Sequence, residues 1–493
     1  MRRVRQIERF SDECHEIQLQ QLTQLLDEAK NTEYGRKHGF ARLQDINDFK
    51  KAVPLVRYED LRPYIMQMVE GKSDVLWRGV TRNFAQSSGT SDGKSKYIPI
   101  TGRALSRGHY AGAAFSLASY LHYHPDSRVF GGKNFILGGS FANELSLPTG
   151  VKVGDLSATL IDRINPLVNL FRIPSKEIAL MERWEEKLPA LVEASIRADV
   201  RSISGVPSWF LTVLRRVLET TGAKDIHSVW PNLEVFFHGG IAFGPYRSQY
   251  AAITDPARMR YWENYNASEG FFGLQDDPSD PAMLLMIDYD VFYEFIPLEE
   301  VGNPEAKAVA LWDVETGKNY AIVISTSCGL WRYQIGDTVK FTSKNPYKFI
   351  ISGRTKSFIN AFGEELMVDN AEKGLAEACR ETGAQVAEYT AAPVFMDIHG
   401  KCRHQWVIEF AKRPENMDVF AEKLDKALQR INSDYEAKRS NNVTLQQLEI
   451  TEAKPGLFNE WLASKGKLGG QHKVPRLNNT RKIIDEILSL NSK

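Results

Sequence analysis

The chain of 493 residues is 43 % apolar and 25 % charged, which is typical of a globular protein and excludes a mainly disordered, collagenous or fibrous one. Its 62 Lys and Arg residues balance 62 Asp and Glu residues, so the overall composition lacks the basic surplus of a general nucleic-acid-binding protein. The four cysteines are scattered without metal-ligand spacing, and no segment approaches the roughly 20 apolar residues of a membrane span. We therefore predict a cytoplasmic protein with reduced thiols that binds neither nucleic acid nor membrane.

The amino-terminal part of the chain favours helices before it turns into mixed structure. Residues 1 to about 75 are predicted to be mostly helical, because leucines such as Leu22, Leu25 and Leu26 recur on one helical face. A Gly- and Ser-rich loop follows at Ser87–Lys96, and Gly102–Tyr123 is typical of a buried helix of small and aromatic residues.

The middle of the chain alternates β-rich runs with helical patterns, which favours an α/β layer architecture. We predict a helix at Glu185–Ala198 and strands at Val129–Leu137, Leu233–Phe237, Met283–Ile287, Ala308–Val314 and Ala321–Thr326. The last three strands are closely spaced and predict a β-rich subdomain attached to the main sheet.

The pattern changes near residue 352, where the chain turns through Ser352–Lys356. The predicted elements that follow are a helix at Met367–Thr382, strands at Val386–Asp397 and Gln405–Phe410, a helix at Asn416–Tyr435, a strand at Leu445–Thr451 and a helix at Asn459–Lys465. We therefore predict an α/β protein with a large multi-sheet domain at residues 1–352 and a small α+β domain at residues 353–493.

The loop Ser87–Lys96 is the strongest candidate for chemistry. Its glycines free the backbone to turn N–H groups toward an anion, while hydroxyls and lysines add donors and positive charge. It is not a P-loop, because three residues rather than four separate Gly89 from Gly93-Lys94. The loop is interpreted as a phosphate cradle, with a plain surface turn as the alternative.

Two later segments have residue types that suit nucleotide binding. In Tyr261–Gly270 an aromatic ring precedes Ser-Glu-Gly, a pattern that stacks on a base and offers a carboxylate to Mg²⁺. The alternative is a strand end with an exposed glutamate. In Gly329–Asp337 an aspartate follows a glycine turn and is suited to accept hydrogen bonds from a ribose diol, although Gly-Asp alone signals only a turn.

Taken in this order, the three segments resemble the nucleotide motifs of the acyl-adenylate-forming, firefly luciferase-like superfamily. The closer likeness is to a short, bacterial-type form of the Gretchen Hagen auxin-responsive family of acyl-acid-amido synthetases. The motifs of that family read Ser-Ser-Gly-Thr-Ser-x-Gly, Tyr-x-x-Ser-Glu and Tyr-Arg-Tyr-x-x-Gly-Asp, and this chain departs from them only at Trp331. Further likenesses are Gly205–Trp209, Trp230–Leu233, the hinge-like Gly353-Arg354 and the block Gln471–Arg476.

The resemblance implies a ligase that uses ATP and Mg²⁺ to join a small carboxylic acid to an amine or amino acid through an acyl-adenylate. It implies that the phosphates bind at Ser87, Ser88, Gly89, Thr90, Ser91, Gly93 and Lys94. It further implies Gly239, Gly240 and Tyr265 at the adenine, Ser268 and Glu269 at the phosphates and Mg²⁺, Asp337 and Arg354 at the ribose, and Lys473 at the α-phosphate. Lys473 and Glu269 are the implied catalytic residues, and His238 is a candidate contact for the acyl substrate.

Two other functions stay open at this point. An acyl-CoA synthetase would use a thiol in place of the amine, and the residues above do not distinguish it. A nucleotide-binding protein without catalysis is disfavoured by the presence of Glu269, Asp337 and Lys473. The superfamily rotates its carboxyl-terminal domain between two half-reactions, and the resemblance implies a pivot near Ser352–Lys356.

Overall fold

The computed structural model describes residues 2–87, 96–143, 145–240, 243–303, 305–355, 358–359, 364, 366–394, 402–432, 435–436, 439, 445–465, 473–478 and 480–492. The chain forms two compact units, Met1–Ile335 with Lys340–Ile350, and Gly336–Val339 with Ile351–Lys493. The roles expected for domains at 1–352 and 353–493, and a motion between them, stay predictions.

The first unit begins with helices and continues with alternating helices and strands. Its helices are α1 (Arg2–Asp12), α2 (Cys14–Ala29), α3 (Glu33–Lys37), α4 (Ile46–Ala52), α5 (Tyr58–Val69), α6 (Tyr110–Tyr123), α7 (Leu156–Asp162), α8 (Pro166–Asn169), α9 (Lys176–Ala179), α10 (Trp184–Ile196), α11 (Pro207–Thr221), α12 (Ile226–Val229) and α13 (Gly244–Ala251). Its strands, two of which extend into the second unit, are β1 (Asn83–Ser87), β2 (Lys96–Ile100), β3 (Lys133–Ile136), β4 (Lys152–Gly154), β5 (Arg172–Ile173), β6 (Val200–Gly205), β7 (Val235–Gly239), β8 (Arg260–Ala267), β9 (Gly270–Gln275), β10 (Met283–Leu285), β11 (Val291–Pro297), β12 (Val309–Ala310), β13 (Asn319–Thr326), β14 (Tyr333–Lys344) and β15 (Tyr347–Arg354).

One large sheet carries most of these strands, in the order β12-β11-β13-β14-β15-β10-β9-β8-β7-β6-β3-β5. The strands from β8 to β5 run parallel to one another, whereas β8 pairs with β9 in antiparallel fashion. A smaller sheet has the order β2-β1-β4. The strands that the sequence assigned to a β-rich subdomain are therefore members of the main sheet itself.

Two predicted strands are shorter than expected, because each includes a 3₁₀ turn. The segment Val129–Gly131 forms such a turn before β3, and Leu311–Asp313 forms one after β12. At the first site a Cβ on Gly132 would lie 2.4 Å from the backbone oxygen of Asp199, so the chain bends closely around its neighbour before pairing. Period-two hydrophobic alternation does not reveal such a bend.

The second unit is an α+β layer with its own core. Its elements are β16 (Phe358–Ile359), β17 (Leu366–Met367), α14 (Val368–Thr382), β18 (Gln385–Val394), β19 (Arg403–Lys412), α15 (Met417–Ile431), β20 (Glu449–Glu452), α16 (Leu457–Ser464) and α17 (Lys482–Asn491). Phe420, Leu424 and Leu428 of α15 are fully buried, as their helical spacing predicts. The predicted fold class, a large α/β part with a small α+β part, is confirmed.

Two further observations concern the cysteine thiols and the length of the helices. Cys14, Cys328, Cys379 and Cys402 form no disulfide bond with one another. Burial raises the pKa of Cys14 and of Cys328 to about 12, so these thiols are unreactive packing groups. Within the described ranges, no helix is long and apolar enough to cross a membrane.

A buried ion pair fixes the start of β14. Arg332 donates two parallel hydrogen bonds of 2.9 Å each to the carboxylate of Glu294 on β11. Its remaining guanidinium contacts are the backbone oxygens of Val53, at 2.8 Å, and Lys50, at 3.1 Å. Arg332 also has a positive φ of 45°, a strained conformation that these contacts hold in place. The arginine therefore ties the segment between α4 and α5 to the main sheet.

Removing the carboxylate should leave this guanidinium buried without its counter-charge. We expect Glu294→Ala to lower the free energy of unfolding by about 3–5 kcal/mol, measured by urea denaturation. The matched control is Glu315→Ala, whose partner Lys318 and own side chain are both exposed, and which should cost less than about 1 kcal/mol. Equal losses in the two variants would contradict a structural role for the buried pair.

Candidate functional site

Six of the described candidate residues lie at or near the carboxyl ends of two adjacent parallel strands. His238 and Gly239 end β7, and Gly240 follows directly. Ser268 and Glu269 follow the end of β8. In sheets of this kind, ligands bind in the crevice outside the carboxyl ends of the parallel strands. The sequence-predicted adenine and metal residues of this unit are thus neighbours in space.

Gly239 permits an unusually close approach between the two strands. It pairs with Asn264 of β8, and a Cβ built on it would lie only 2.2 Å from the backbone oxygen of that residue. Gly240 has a φ of +81°, a conformation that side chains with a Cβ rarely adopt. Both glycines are therefore required by the backbone at the point where the chain leaves β7.

The turn between β8 and β9 carries the candidate metal ligand. Ala267 pairs with Gly270, so Ser268 and Glu269 form a two-residue turn. Glu269 is only 7 % exposed, which means that its carboxylate is held within the fold and does not extend into solvent. The register shifts between Tyr265 and Asn266 just before this turn, an irregularity that is common beside active sites.

Tyr265 has a fixed ring orientation. Its ring lies edge-on to Phe272 of β9, at 5.1 Å between centroids, and to Phe349 of β15, at 6.1 Å. The residue is 5 % exposed. A ring held in this way is pre-organised for contact with a flat ligand and loses little side-chain freedom on binding.

One supporting residue is absent from the sequence motifs. His109, in a π-helical turn at Ala104–His109, donates a 2.7 Å hydrogen bond from Nδ1 to Oδ1 of Asn266 on β8. Burial lowers the pKa of His109 to about 4, so its ring is neutral. The pair holds β8 directly beside Tyr265. The two residues lie 157 positions apart in the chain, and no local pattern links them.

His238 is a buried, neutral ring. It stacks on Phe243, at 4.3 Å between ring centroids, and is 4 % exposed. Burial, together with the nearby charge of Arg247, lowers the pKa of His238 to about 3. Among the described residues, no group forms a hydrogen bond with its Nδ1 atom. The imidazole is therefore available as a polar contact and unsuited to carry positive charge.

The predicted phosphate loop joins two described strands. Ser87 of β1 pairs with Lys96 of β2, so the ends of the loop are held together by a hairpin. The backbone of Ser87 is described, but its side chain is not. The other predicted phosphate ligands lie outside the described residues, namely Ser88, Gly89, Thr90, Ser91, Gly93 and Lys94.

Asp337 and Arg354 belong to the second unit. Asp337 is 7 % exposed and stands on β14 after Gly336, which has a φ of +92°. The backbone oxygen of Gly336 accepts a 2.8 Å hydrogen bond from the N–H of Thr355. Arg354 ends β15, and its side chain lies outside the described part of the structure.

Lys473 is exposed, but the residues that follow it are firmly held. The hydroxyl of Thr390 donates a 2.7 Å hydrogen bond to the backbone oxygen of Pro475. The N–H of Ala391 donates a 2.8 Å hydrogen bond to the backbone oxygen of Arg476. The residues that follow Lys473 are therefore attached to β18.

The close contact at Gly239 gives a direct test of this geometry. We expect Gly239→Ala to lower the free energy of unfolding by about 1–3 kcal/mol, because the added methyl group must push β7 away from β8. Hydrogen exchange at the amides of β8 should increase in parallel. Gly244→Ala is the control, since a Cβ there meets nothing within 4 Å, and it should change stability by less than about 1 kcal/mol. Equal behaviour of the two variants would contradict the close approach.

The chain matches the domains of one protein family along its length. The N-terminal domain of the GH3 family matches residues 3–169 and 151–259, its central domain matches residues 284–354, and its C-terminal domain matches residues 369–482. Among curated proteins, the indole-3-acetic acid-amido synthetase GH3.3 of Arabidopsis thaliana is 24 % identical over 96 % of this chain and 91 % of its own. The jasmonoyl–L-amino acid synthetase GH3.5 of Oryza sativa subsp. japonica is 25 % identical over 99 % of this chain and 96 % of its own.

Solved structures share the fold. A GH3.15 acyl acid amido synthetase superposes with a TM-score of 0.79 at 20 % identity, covering 99 % of this chain and 96 % of its own. A 2-hydroxyisobutyryl-CoA ligase in the postadenylation state gives a TM-score of 0.61 at 14 % identity, covering 97 % and 92 %. Since the N-terminal domain match alone extends over half of the chain, and the other two domains follow in order, the protein belongs to the GH3 family.

Proposed function

We propose that this protein is an ATP-dependent acyl-acid-amido synthetase. In the first step the carboxylate of a small acid attacks the α-phosphate of ATP, giving an acyl-adenylate and pyrophosphate. In the second step the amino group of an amino acid attacks the acyl carbon, and AMP leaves with the pair of electrons of the broken acyl–oxygen bond. The observation that carries the proposal is the family membership together with the three nucleotide motifs of this sequence.

The chain's contribution is mainly positioning and charge stabilisation, because phosphate transfer needs little covalent help from the protein. We assign the adenine to Tyr265, whose ring is fixed against Phe272, and to the Gly239-Gly240 backbone. The phosphates bind the loop Ser87–Lys96. From the sequence motifs we assign the ribose hydroxyls to Asp337 and Arg354.

Glu269 is the proposed protein ligand for Mg²⁺. Mg²⁺ prefers hard oxygen ligands, keeps several waters, and usually needs only one or two carboxylates when it also contacts phosphates. Glu269 supplies such a carboxylate, and Ser268 adds a hydroxyl beside it. Within the described ranges, no group of three or more His, Cys, Asp or Glu side chains forms a metal cage, so a site completed by ATP itself is the better fit. The ion would neutralise charge on the phosphate oxygens.

His238 contacts the acyl substrate as a neutral polar group. A ring with a pKa of about 3 stays uncharged at physiological pH and is a poor proton acceptor. We therefore assign it to substrate orientation, and the incoming amine must lose its proton elsewhere. Four cysteines that form no disulfide bond support a reducing, cytoplasmic compartment for the reaction.

A screen for pyrophosphate release tests the reaction. Carboxylic acids would be supplied with ATP and Mg²⁺, crossed with a panel of amino acids and with coenzyme A, and the products identified by mass spectrometry. Amide formation supports the proposal. Thioester formation alone would assign the protein to the acyl-CoA synthetases, and absence of pyrophosphate with every acid would indicate a protein without catalysis.

The role of Glu269 predicts a changed metal requirement. We expect Glu269→Gln to need more Mg²⁺ for half-maximal pyrophosphate release and to lower the rate about tenfold, which is about 1.4 kcal/mol of barrier. The reason is that an amide lacks the negative charge that attracts the ion. Glu299→Gln, at an exposed position, should leave the titration unchanged. An identical Mg²⁺ titration for Glu269→Gln and the native protein would remove Glu269 from the metal site.

The role of Lys473 predicts a loss in one half-reaction. Its charge offsets phosphate charge while the carboxylate attacks, whereas the second step starts from an acyl group that is already activated. We expect Lys473→Ala to form amide slowly from acid and ATP, and at a near-normal rate from supplied acyl-adenylate and amine. Excess Mg²⁺ should partly restore Glu269→Gln but not Lys473→Ala.

The control is Lys482→Ala, which removes another exposed lysine and should affect neither assay. Equal losses of Lys473→Ala in both assays would refute a role confined to the first step. Full activity in both would show that Lys473 is a surface lysine without a part in the reaction.

A further inference from the structure

A second concave feature lies at the opposite edge of the main sheet from the candidate site. A cleft of about 270 Å³ opens at the amino ends of β6, β7 and β8. The five residues of β7 span about 15 Å, so the cleft is separate from the residues at the carboxyl ends of these strands. The charged groups that line it are four arginines and two carboxylates, namely Arg128, Arg201, Arg258, Arg260, Asp126 and Glu234.

Hydrogen bonds hold the lining of the cleft in place. The N–H of Glu234 donates to the backbone oxygen of Arg201 at 3.0 Å, and the N–H of Arg260 donates to the backbone oxygen of Glu234 at 2.9 Å. The carboxylate of Glu234 accepts a hydrogen bond from the hydroxyl of Ser127 and another, at 3.3 Å, from the N–H of Arg128. Glu234 therefore fixes the turn before β3 against the start of β7.

Three of the four arginines have no carboxylate partner. Arg201 pairs with Asp199, with 2.9 Å between Nε and Oδ2. Arg128, Arg258 and Arg260 form no ion pair with any carboxylate in the part of the chain that the structure describes. A concave surface that collects charges of one sign attracts ions of the opposite sign. The cleft is therefore suited to an anion.

These arginines do not cap the neighbouring helices. Basic side chains are favourable at the carboxyl end of a helix, and α10 and α12 end a few residues before β6 and β7. Apart from its bond to Asp199, however, Arg201 donates to the backbone oxygen of Arg128 at 3.1 Å, and Arg260 donates to that of Arg258 at 2.7 Å. Neither oxygen belongs to an α-helix. The guanidinium groups of Arg128 and Arg258 have no hydrogen-bond acceptor among the described residues.

We propose that this cleft binds a small phosphate-bearing anion. Guanidinium groups bind phosphate oxygens through charged and often paired hydrogen bonds. The arginines without a carboxylate partner come from two separate segments, the turn before β3 and the start of β8, so a ligand with several oxygens is needed to contact them all. A phosphate group offers three acceptor oxygens and nearly two negative charges, more than a single carboxylate. The site goes beyond the proposed amide synthesis and does not depend on it.

Hydrogen exchange of the full chain, measured by mass spectrometry, tests where the anion binds. The probe is pyrophosphate, and potassium chloride at matched ionic strength controls for screening. We expect pyrophosphate to slow exchange in the peptides that cover residues 126–128, 231–234 and 257–260, because a ligand of the folded state reduces local opening. No slowing there beyond the chloride control would overturn the inference. Equal slowing by malonate, a dicarboxylate, would overturn the assignment to phosphate.

Two variants should change the affinity in opposite directions. The affinity is the pyrophosphate concentration that gives half of the slowing in the three peptides. Arg258→Gln should weaken binding about tenfold, because it removes a charged donor. Asp126→Asn should strengthen binding about two- to fivefold, because it removes a negative charge from the lining. Both side chains are exposed, so the fold should persist, as circular dichroism would check. A variant that merely disturbed the fold would weaken binding in both cases.

Arg42→Gln is the matched control, since it removes an exposed arginine that does not line the cleft and should leave the affinity unchanged. Glu269→Gln, at the candidate site, should likewise leave exchange at the cleft unchanged, which separates this site from the proposed ATP site. An unaltered affinity in Arg258→Gln, or an equal loss in Arg42→Gln, would overturn the proposal.

Discussion

The candidate site depends on the close parallel contact between β7 and β8. Gly239 has no side chain to separate its strand from the backbone oxygen of Asn264, and this absence sets the distance between the two strand ends. The loop after β7 and the turn after β8 then start from neighbouring points of one sheet edge. The positions of the residues in the first unit that are proposed to bind adenine and Mg²⁺ therefore depend on that contact.

The two faces of strand β8 have different roles: one packs against the rest of the fold, and the other carries a proposed binding residue. On one face Trp262 packs edge-on against Tyr120 of α6, and Asn266 is held by His109. On the other face Tyr265 alternates with these anchored residues. The neighbours of this binding residue along the strand are fixed by packing. The residue therefore keeps its position in the absence of a ligand, as expected for a site on a rigid element. Helix α6, which packs on one face of β8, therefore helps to fix the position of the binding residue on the other face.

Local sequence patterns predict part of this arrangement, but they do not predict the contacts between residues that lie far apart in the chain. Helices such as α14 and α15 follow from apolar spacing, and Tyr265, Glu269 and Asp337 follow from short motifs. The support that His109 gives to Asn266 spans 157 residues, and the close contact of Gly239 with Asn264 joins two separate strands. A single sequence has no signal for such pairings. It likewise gives no sign that the predicted strand at Val129–Leu137 bends at its glycines.

The third nucleotide motif shows why a motif match assigns a site but not the role of each residue. Arg332 stands five positions before Asp337 and has the charge expected of a phosphate ligand. Its Nε, Nη1 and Nη2 atoms all donate to Glu294 or to the backbone oxygens of the α4–α5 segment. An arginine with its donors committed in this way is a support for the strand and has little left for a nucleotide. The motif thus combines a structural anchor, immediately before β14, with a candidate ligand on β14.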